Sequence, residues 1–528
     1  MFEIDRRKLV ASLALTAAST LAGRASAQQP PQATPNGANG ANGTPGFSHE
    51  DVLRRARELA SVPLSPAPAM PEPLAKMDQD AWRDIRFRPE RALLANGGSP
   101  FRLQAYHLGH IYRRPVTVNT IRDGIATPMP YAANLFDYGA MKFEKPLPVN
   151  LGFAGFKLTY PLNDPRALDE VISFLGTSCF RFMGRGQRAG VSTRGLGVNA
   201  GGTNEEFPFF REFWIVTPEP GADHITIHAL LDGETATGAY RFELWPGVDT
   251  ALDVQFTLFP RKAGAKLGVA PLASMFQSGE SDRRAKADFR PEAHNSDGLL
   301  IHTSADEWLW RPLRNPAAME VSAFMGQNMR GFGLMQRDRN FEHYQDLDLA
   351  YEQRPSYWVE PVGDWGEGHV ELVELPGADE SADNIVASWV PAVAPEPGKP
   401  FSLSYRITAT LDMTRLSPGG RAIGAFQTQA KPQNAKEQAP PNVRRLLIDF
   451  AGGDLPFFLT EPSSVEVVAT ASQGRILRSF IAPNPHIKGF RAGIDVQLDP
   501  GQSTDLRVAL RNGARVITET WTKPFTAE

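Results

Sequence analysis

The sequence predicts a mainly β protein: a large N-terminal antiparallel β-sandwich followed by a small C-terminal immunoglobulin-like β-sandwich. Three observations predict it. Apolar and polar residues alternate in short runs, as in His224-Ile225-Thr226-Ile227-His228-Ala229-Leu230-Leu231 and Ala251-Leu252-Asp253-Val254-Gln255-Phe256-Thr257-Leu258-Phe259. Such alternation buries one face of a strand and leaves the other free. The 46 glycines and 44 prolines punctuate these runs, and both residues interrupt regular structure. No long amphipathic helix breaks the pattern between residues 100 and 412, where well over ten such segments recur. Many short strands need two packed faces to bury their apolar sides, which favours a sandwich.

Taken in order, the chain opens with Asp5-Arg6-Arg7-Lys8, an apolar stretch to Leu21, and Ala25-Ser26-Ala27. Paired arginines, a modest apolar run and a small-residue cleavage pattern predict a twin-arginine-type signal over residues 1–27. An ordinary secretory signal is the other reading of the same residues. Either predicts export, with a mature start near Gln28 and a periplasmic location. Residues 28–46 are rich in Gln, Pro, Asn and Gly and read as a disordered linker. Ser48 and Asp51 form a looser capping box before a helical pattern over 52–60, and a second short helix is expected over 78–82. The large sandwich is expected over 47–413. A polar connector loop, tether or lid, is expected over 414–441. The immunoglobulin-like domain fills 442–528.

Composition narrows the function. Net charge is −4 with no basic stripe, which argues against a nucleic-acid partner and suits a neutral ligand such as a sugar. After the signal, no run approaches 18 consecutive apolar residues. The one cysteine, Cys179, sits in an apolar setting and reads as a small core residue; a single thiol makes neither an internal disulfide nor a thiolate cluster. Residues 195–202 are glycine-rich but lack the spacing and following helix of a dinucleotide loop. His107 and His110 are spaced three apart, which puts them on opposite faces of a strand, so both read as structural. No metal site and no cofactor are expected.

Between residues 290 and 390, aromatic side chains lie among carboxylates and arginines. One stretch runs from Asp288 through His294-Asn295-Ser296-Asp297. A second runs from Gln336 through His343-Tyr344-Gln345-Asp346 to Tyr351, Arg354 and Trp358. The third is Asp379-Glu380-Ser381-Ala382-Asp383-Asn384-Ile385-Val386. Flat rings stack on sugar faces, and acids and amides bind hydroxyls. Cleaving a glycosidic bond needs one protonated carboxyl and one base. Read alone, Asp383-Asn384 is equally a turn before a strand.

Ordered motifs make the resemblance specific. They include Leu151-Gly152-Phe153-Ala154-Gly155-Phe156, Ser192-Thr193-Arg194-Gly195-Leu196, Glu206-Phe207-Pro208, Ala270-Pro271-Leu272-Ala273-Ser274-Met275-Phe276, Gly331-Phe332-Gly333-Leu334-Met335-Gln336, Asp383-Asn384-Ile385-Val386 and Thr518-Glu519-Thr520-Trp521. Over residues 48–525 the chain resembles the periplasmic glucan biosynthesis family of G and D types, D-like in its twin-arginine start. The resemblance implies action on glucose oligomers with a β-1,2-linked backbone, and inverting glycoside hydrolysis in some members. It implies Asp383 as general acid and Tyr351 as an assisting residue at the scissile sugar. Arg194, His294, Arg354, Trp358 and Trp365 are the expected substrate-binding residues, with a place in the core or rim the other reading of Arg194, Trp358 and Trp365. The partner it implies is β-1,2-glucan; the membrane glucan-synthesis machinery and a second copy of the chain in a homodimer are further candidate partners, which the sequence does not itself identify.

The sequence departs from the family at one position. Where the resemblance implies an aspartate base, it reads Asn295, and an amide cannot take a proton at neutral pH. Three readings stay open. Asp297 substitutes as base; a sugar hydroxyl replaces water as nucleophile, making a transglycosylase; or the protein binds glucan as a scaffold without turnover. Loss of a general base removes roughly 10²–10⁴ in rate.

Overall fold

The computed structural model describes residues 46–95, 98–280, 282, 288–412, 416–430 and 442–526. The signal segment and all of the linker but its last residue lie outside the described residues, as does much of the 414–441 connector.

Two large sheets face each other. One has ten strands, and every neighbour in it is antiparallel. Its path is Arg102–Tyr106, Gly155–Tyr160, Asp169–Leu175, Cys179–Phe182, Ser192–Arg194, Leu267–Ser274, Ile385–Pro391, Glu367–Glu374 and Glu320–Gln327, with Gly197–Val198 paired at the side. The other has fifteen strands and includes both alternating segments singled out above, Ile225–Asp232 and Thr250–Pro260. Aromatic side chains fill the space between them. Phe174 lies 5.2 Å from Phe213 and 5.3 Å from Phe242, ring centre to ring centre. Each fully buried phenylalanine contributes roughly 2–3 kcal/mol of transfer free energy, so this layer holds the two sheets together.

Alternation sets what the other side of the ten-stranded sheet shows. Ile172 and Phe174 point into the core, as do Phe180 and Phe182. Ser173, Leu175, Cys179, Arg181, Ser192 and Arg194 therefore face outward, and this outer face carries the cleft described below. Cys179 is buried as expected, but against the cleft and not in the apolar core.

The N-terminal helix His49–Ala60 covers the outside of the fifteen-stranded sheet. Ser48 and Asp51 form its capping box, and Val52 and Ala56 bury against Trp214, Leu230 and Phe259. Asp78 caps the short helix Gln79–Asp84 by accepting from the Ala81 N–H at 2.8 Å.

The C-terminal region differs from expectation in two ways. Residues expected as a connector loop contain the strand Arg421–Gln429, which pairs with Val443–Ala451 and opens a four-stranded sheet with Gly489–Gln497 and Arg475–Asn484. The opposing layer is not a separate sheet either. Thr520–Thr526 pairs in parallel with Trp308–Pro312 through Leu309↔Thr520 and Trp310↔Trp521, so Val465–Ala471 and Ser503–Asn512 extend the fifteen-stranded sheet. A second core of Leu446, Ile448, Phe490, Val508, Leu510 and Trp521 fills the gap.

Candidate functional site

The outer face of the ten-stranded sheet forms the floor of two adjoining cavities, of about 410 Å³ and about 200 Å³. They share Ile111, Tyr112, Leu175 and Asp383 in their linings. Asp383 thus stands where the two meet, at the end of the loop that leads into the strand Ile385–Pro391. Asn384 anchors that loop. Its side chain accepts from the Phe276 N–H at 2.8 Å and donates to the Phe276 carbonyl at 2.9 Å. Such a clamp fixes the neighbouring carboxylate in space, and it explains why an Asn follows the Asp.

The larger cavity contains Arg194, whose guanidinium lies over the Phe207 ring and donates to Glu205 at 2.9 Å. The smaller contains Asn295, Tyr351, Arg354 and Glu380. Tyr351 starts a one-turn helix, Tyr351–Gln353, and its hydroxyl donates to Glu380 Oε2 at 2.6 Å. Burial and then this carboxylate push the phenol above its ordinary range, so it stays protonated. Arg354 stacks on the Tyr351 ring, 4.0 Å from its centre. It packs so close to Gly190 that a Cβ there would lie 2.8 Å from the Arg354 Cβ. Arg290 donates from one nitrogen to Glu380 at 2.7 Å and to Asp346 at 3.1 Å, tying the loop of Glu380 to the loop before Tyr351.

Asn295 enters the smaller cavity with its Nδ2 3.4 Å from the Gly190 carbonyl and its Oδ1 buried without a hydrogen-bond partner. That oxygen is a buried acceptor that still lacks a donor.

Asp297 is elsewhere. It lines a third cavity, of about 540 Å³, that has no lining residue in common with the other two. The chain crosses from one sheet to the other at this point. The Asn295 N–H donates to Met275 at the end of the ten-stranded sheet, and the Asp297 N–H donates to Met335 of the fifteen-stranded one. The two side chains therefore part despite their spacing of two. Asp297 Oδ2 accepts from the Arg337 and Asp338 N–H groups at 2.8 and 3.0 Å, and burial raises its pKa. The substitution of Asp297 for the missing base is overturned by this placement.

Three expected substrate contacts are structural. His294 is wholly buried, bonded through Nδ1 to Gln336 and through Nε2 to Glu292 at 2.8 and 2.9 Å. Burial works against its charge, but Glu292 and Asp297 outweigh it and raise its pKa. It braces the segment that presents Asn295. Trp358 is packed in the second core beside Trp308, and Trp365 in the main core, where its Nε1 donates to Ser404 at 3.0 Å. Neither lines a cleft cavity. Both sit on apolar faces that sequence alone does not separate from a sugar platform.

Sequence reasoning missed Glu380. Besides Asp383 it is the one carboxylate among the described residues lining the smaller cavity. Its signal was its place three residues before Asp383 on one short loop. A second cluster was also missed. Glu280, Glu292, Asp338 and His343 each offer one ligand atom, all within 4.8 Å of one another, along the wall of the third cavity. Three carboxylates and an imidazole have the donor chemistry for a divalent cation. Glu280 is exposed, but partial desolvation against the cavity wall and then the charges of Glu292 and Asp338 push it up to about 7.

Comparison with known proteins covers nearly the whole described chain. A family model described as "Periplasmic glucan biosynthesis protein, MdoG" matches residues 47–525. The chain is 42% identical over 490 residues to a glucans biosynthesis protein G of Ralstonia nicotianae, covering 90% of this chain and 95% of that one. It is 40% identical over 488 residues to a protein of the same name from Pectobacterium atrosepticum, covering 91% and 93%. A third of that name, from Pseudomonas aeruginosa, is 40% identical over 490 residues, covering 91% and 93%. The chain belongs to the periplasmic glucan biosynthesis protein MdoG family.

Proposed function

We propose that this protein acts in periplasmic glucan biosynthesis as an inverting transglycosylase on a β-1,2-linked glucan backbone. Export through a twin-arginine signal, as in the D type, belongs to the same reading. The observation that carries it is the position of Asp383 at the junction of two cavities, where a chain lying along the cleft would have its scissile bond.

Asp383 gives its proton to the glycosidic oxygen as the bond from that oxygen to C1 breaks, and the leaving sugar departs as a free hydroxyl. A hydroxyl of an acceptor sugar, oriented by Asn295 Oδ1, attacks C1 from the opposite face and forms the new bond with inversion. Its proton passes to Tyr351, whose own proton moves along the 2.6 Å bond to Glu380. Glu380 thus completes the pair of carboxyl groups that inversion requires. An amide in place of a carboxylate near the nucleophile gives water no base of its own, which favours a bound sugar as acceptor. Plain hydrolysis would need water to be held against the same Tyr351–Glu380 relay without a carboxylate at position 295. The alternative, a glucan-binding scaffold without turnover, needs no acid at the junction.

Replacing Asp383 by Asn and Glu380 by Gln separates these readings. On linear β-1,2-glucan, each substitution is expected to lower turnover by roughly 10²–10⁴ while leaving glucan binding in place. Unchanged product formation in Asp383→Asn contradicts the assignment.

A further inference from the structure

The third cavity lies between the large sheets and the strand Arg421–Gln429, away from the proposed cleft. Several residues around it also carry buried polar atoms without partners. Trp521 is 1% exposed, lines the cavity, and has an Nε1–H with no partner. Arg337 Nε and Arg339 Nη2 are further buried donors without partners, and Asp297 Oδ1 is a buried acceptor without one. Glu280, Glu292, Asp338 and His343 gather on this wall, and Arg337, next to Asp338 in the chain, lies over Trp310 and pairs with Glu519. With arginines and carboxylates both present, a ligand of strong net charge leaves one set opposed. A neutral molecule whose hydroxyls each donate and accept satisfies both. The volume of about 540 Å³ is in the range that holds a small ligand.

We infer that this cavity is a second carbohydrate site, which takes a neutral polyhydroxylated ligand and bridges the large sheets to the C-terminal region. The choice of a glucose oligomer as its ligand rests on the glucan reading of the cleft; the binding chemistry does not.

Hydrogen exchange of the full mature protein carrying Asp383→Asn, with and without a short linear β-1,2-linked glucose oligomer, tests this. The expected result is slowed exchange in residues 336–339 and 421–425, besides the cleft segments 110–114 and 349–354. Substituting Ile423, an exposed residue on the cavity wall, by Trp is expected to abolish the first effect and keep the second. Protection confined to the cleft overturns the second site and leaves the cleft reading intact. Protection of the cavity alone supports the second site and overturns the cleft reading. Protection at 336–339 by calcium or manganese alone, and none by the sugar, assigns the cavity to a cation and overturns the proposal.

Discussion

Asn295 and Glu280 show how single side chains carry the account. Asn295 lines the smaller cavity, and its Oδ1 is a buried acceptor without a partner. Asn295→Asp puts a base there, so the ratio of hydrolysis to transfer is expected to rise about tenfold or more, read from the balance of linear and transferred products. Glu280 gives a pH prediction. Its folded pKa is about 7 against an ordinary 4.5, so the folded state favours the protonated form. The stability tied to that proton is complete below pH 4.5 and is lost as pH rises through 7. Glu280→Gln keeps the neutral form, so its Tm is expected to exceed that of the native chain at pH 8 and to match it near pH 4. Equal Tm values at pH 8 contradict the like-charge crowding with Glu292 and Asp338.

At the scale of elements, the strand face decides what each residue does. Alternation in Asp169–Leu175 and Cys179–Phe182 sends phenylalanines inward and Ser173, Leu175 and Arg181 to the cleft, whereas the apolar setting of Cys179 suggests the core. Trp358 and Trp365 were not legible either. Each lies on a strand or turn whose neighbours come from distant parts of the chain, so their burial depends on partners that local pattern does not name. The parting of Asn295 and Asp297 was hidden for the same reason, because it follows from hydrogen bonds to Met275 and Met335 on two different sheets. Trp358→Ala checks the structural assignment. It is expected to cost about 3–5 kcal/mol of unfolding free energy by denaturant titration while the folded protein keeps its KM for glucan. A raised KM at unchanged stability would return Trp358 to the cleft.

Over the whole molecule, the mainly β architecture was readable from alternation and from glycine and proline punctuation. The joining of the C-terminal strands to the large sheet was not, since a single parallel contact between Trp308–Pro312 and Thr520–Thr526 creates it. That continuity places the third cavity between firmly connected layers, with Trp310 and Trp521 side by side on its wall. On the proposed reading, the cleft and this cavity both hold glucan while Asp383 acts on one bond. The most direct measurement is incubation of the purified mature chain with linear β-1,2-glucan and mass analysis of the products. Transfer within one chain predicts products lighter than the linear substrate by one water, and transfer between chains predicts redistributed lengths; both vanish in Asp383→Asn. Short linear products alone would show hydrolysis, and glucan that emerges unchanged would contradict a catalytic cleft and leave the scaffold.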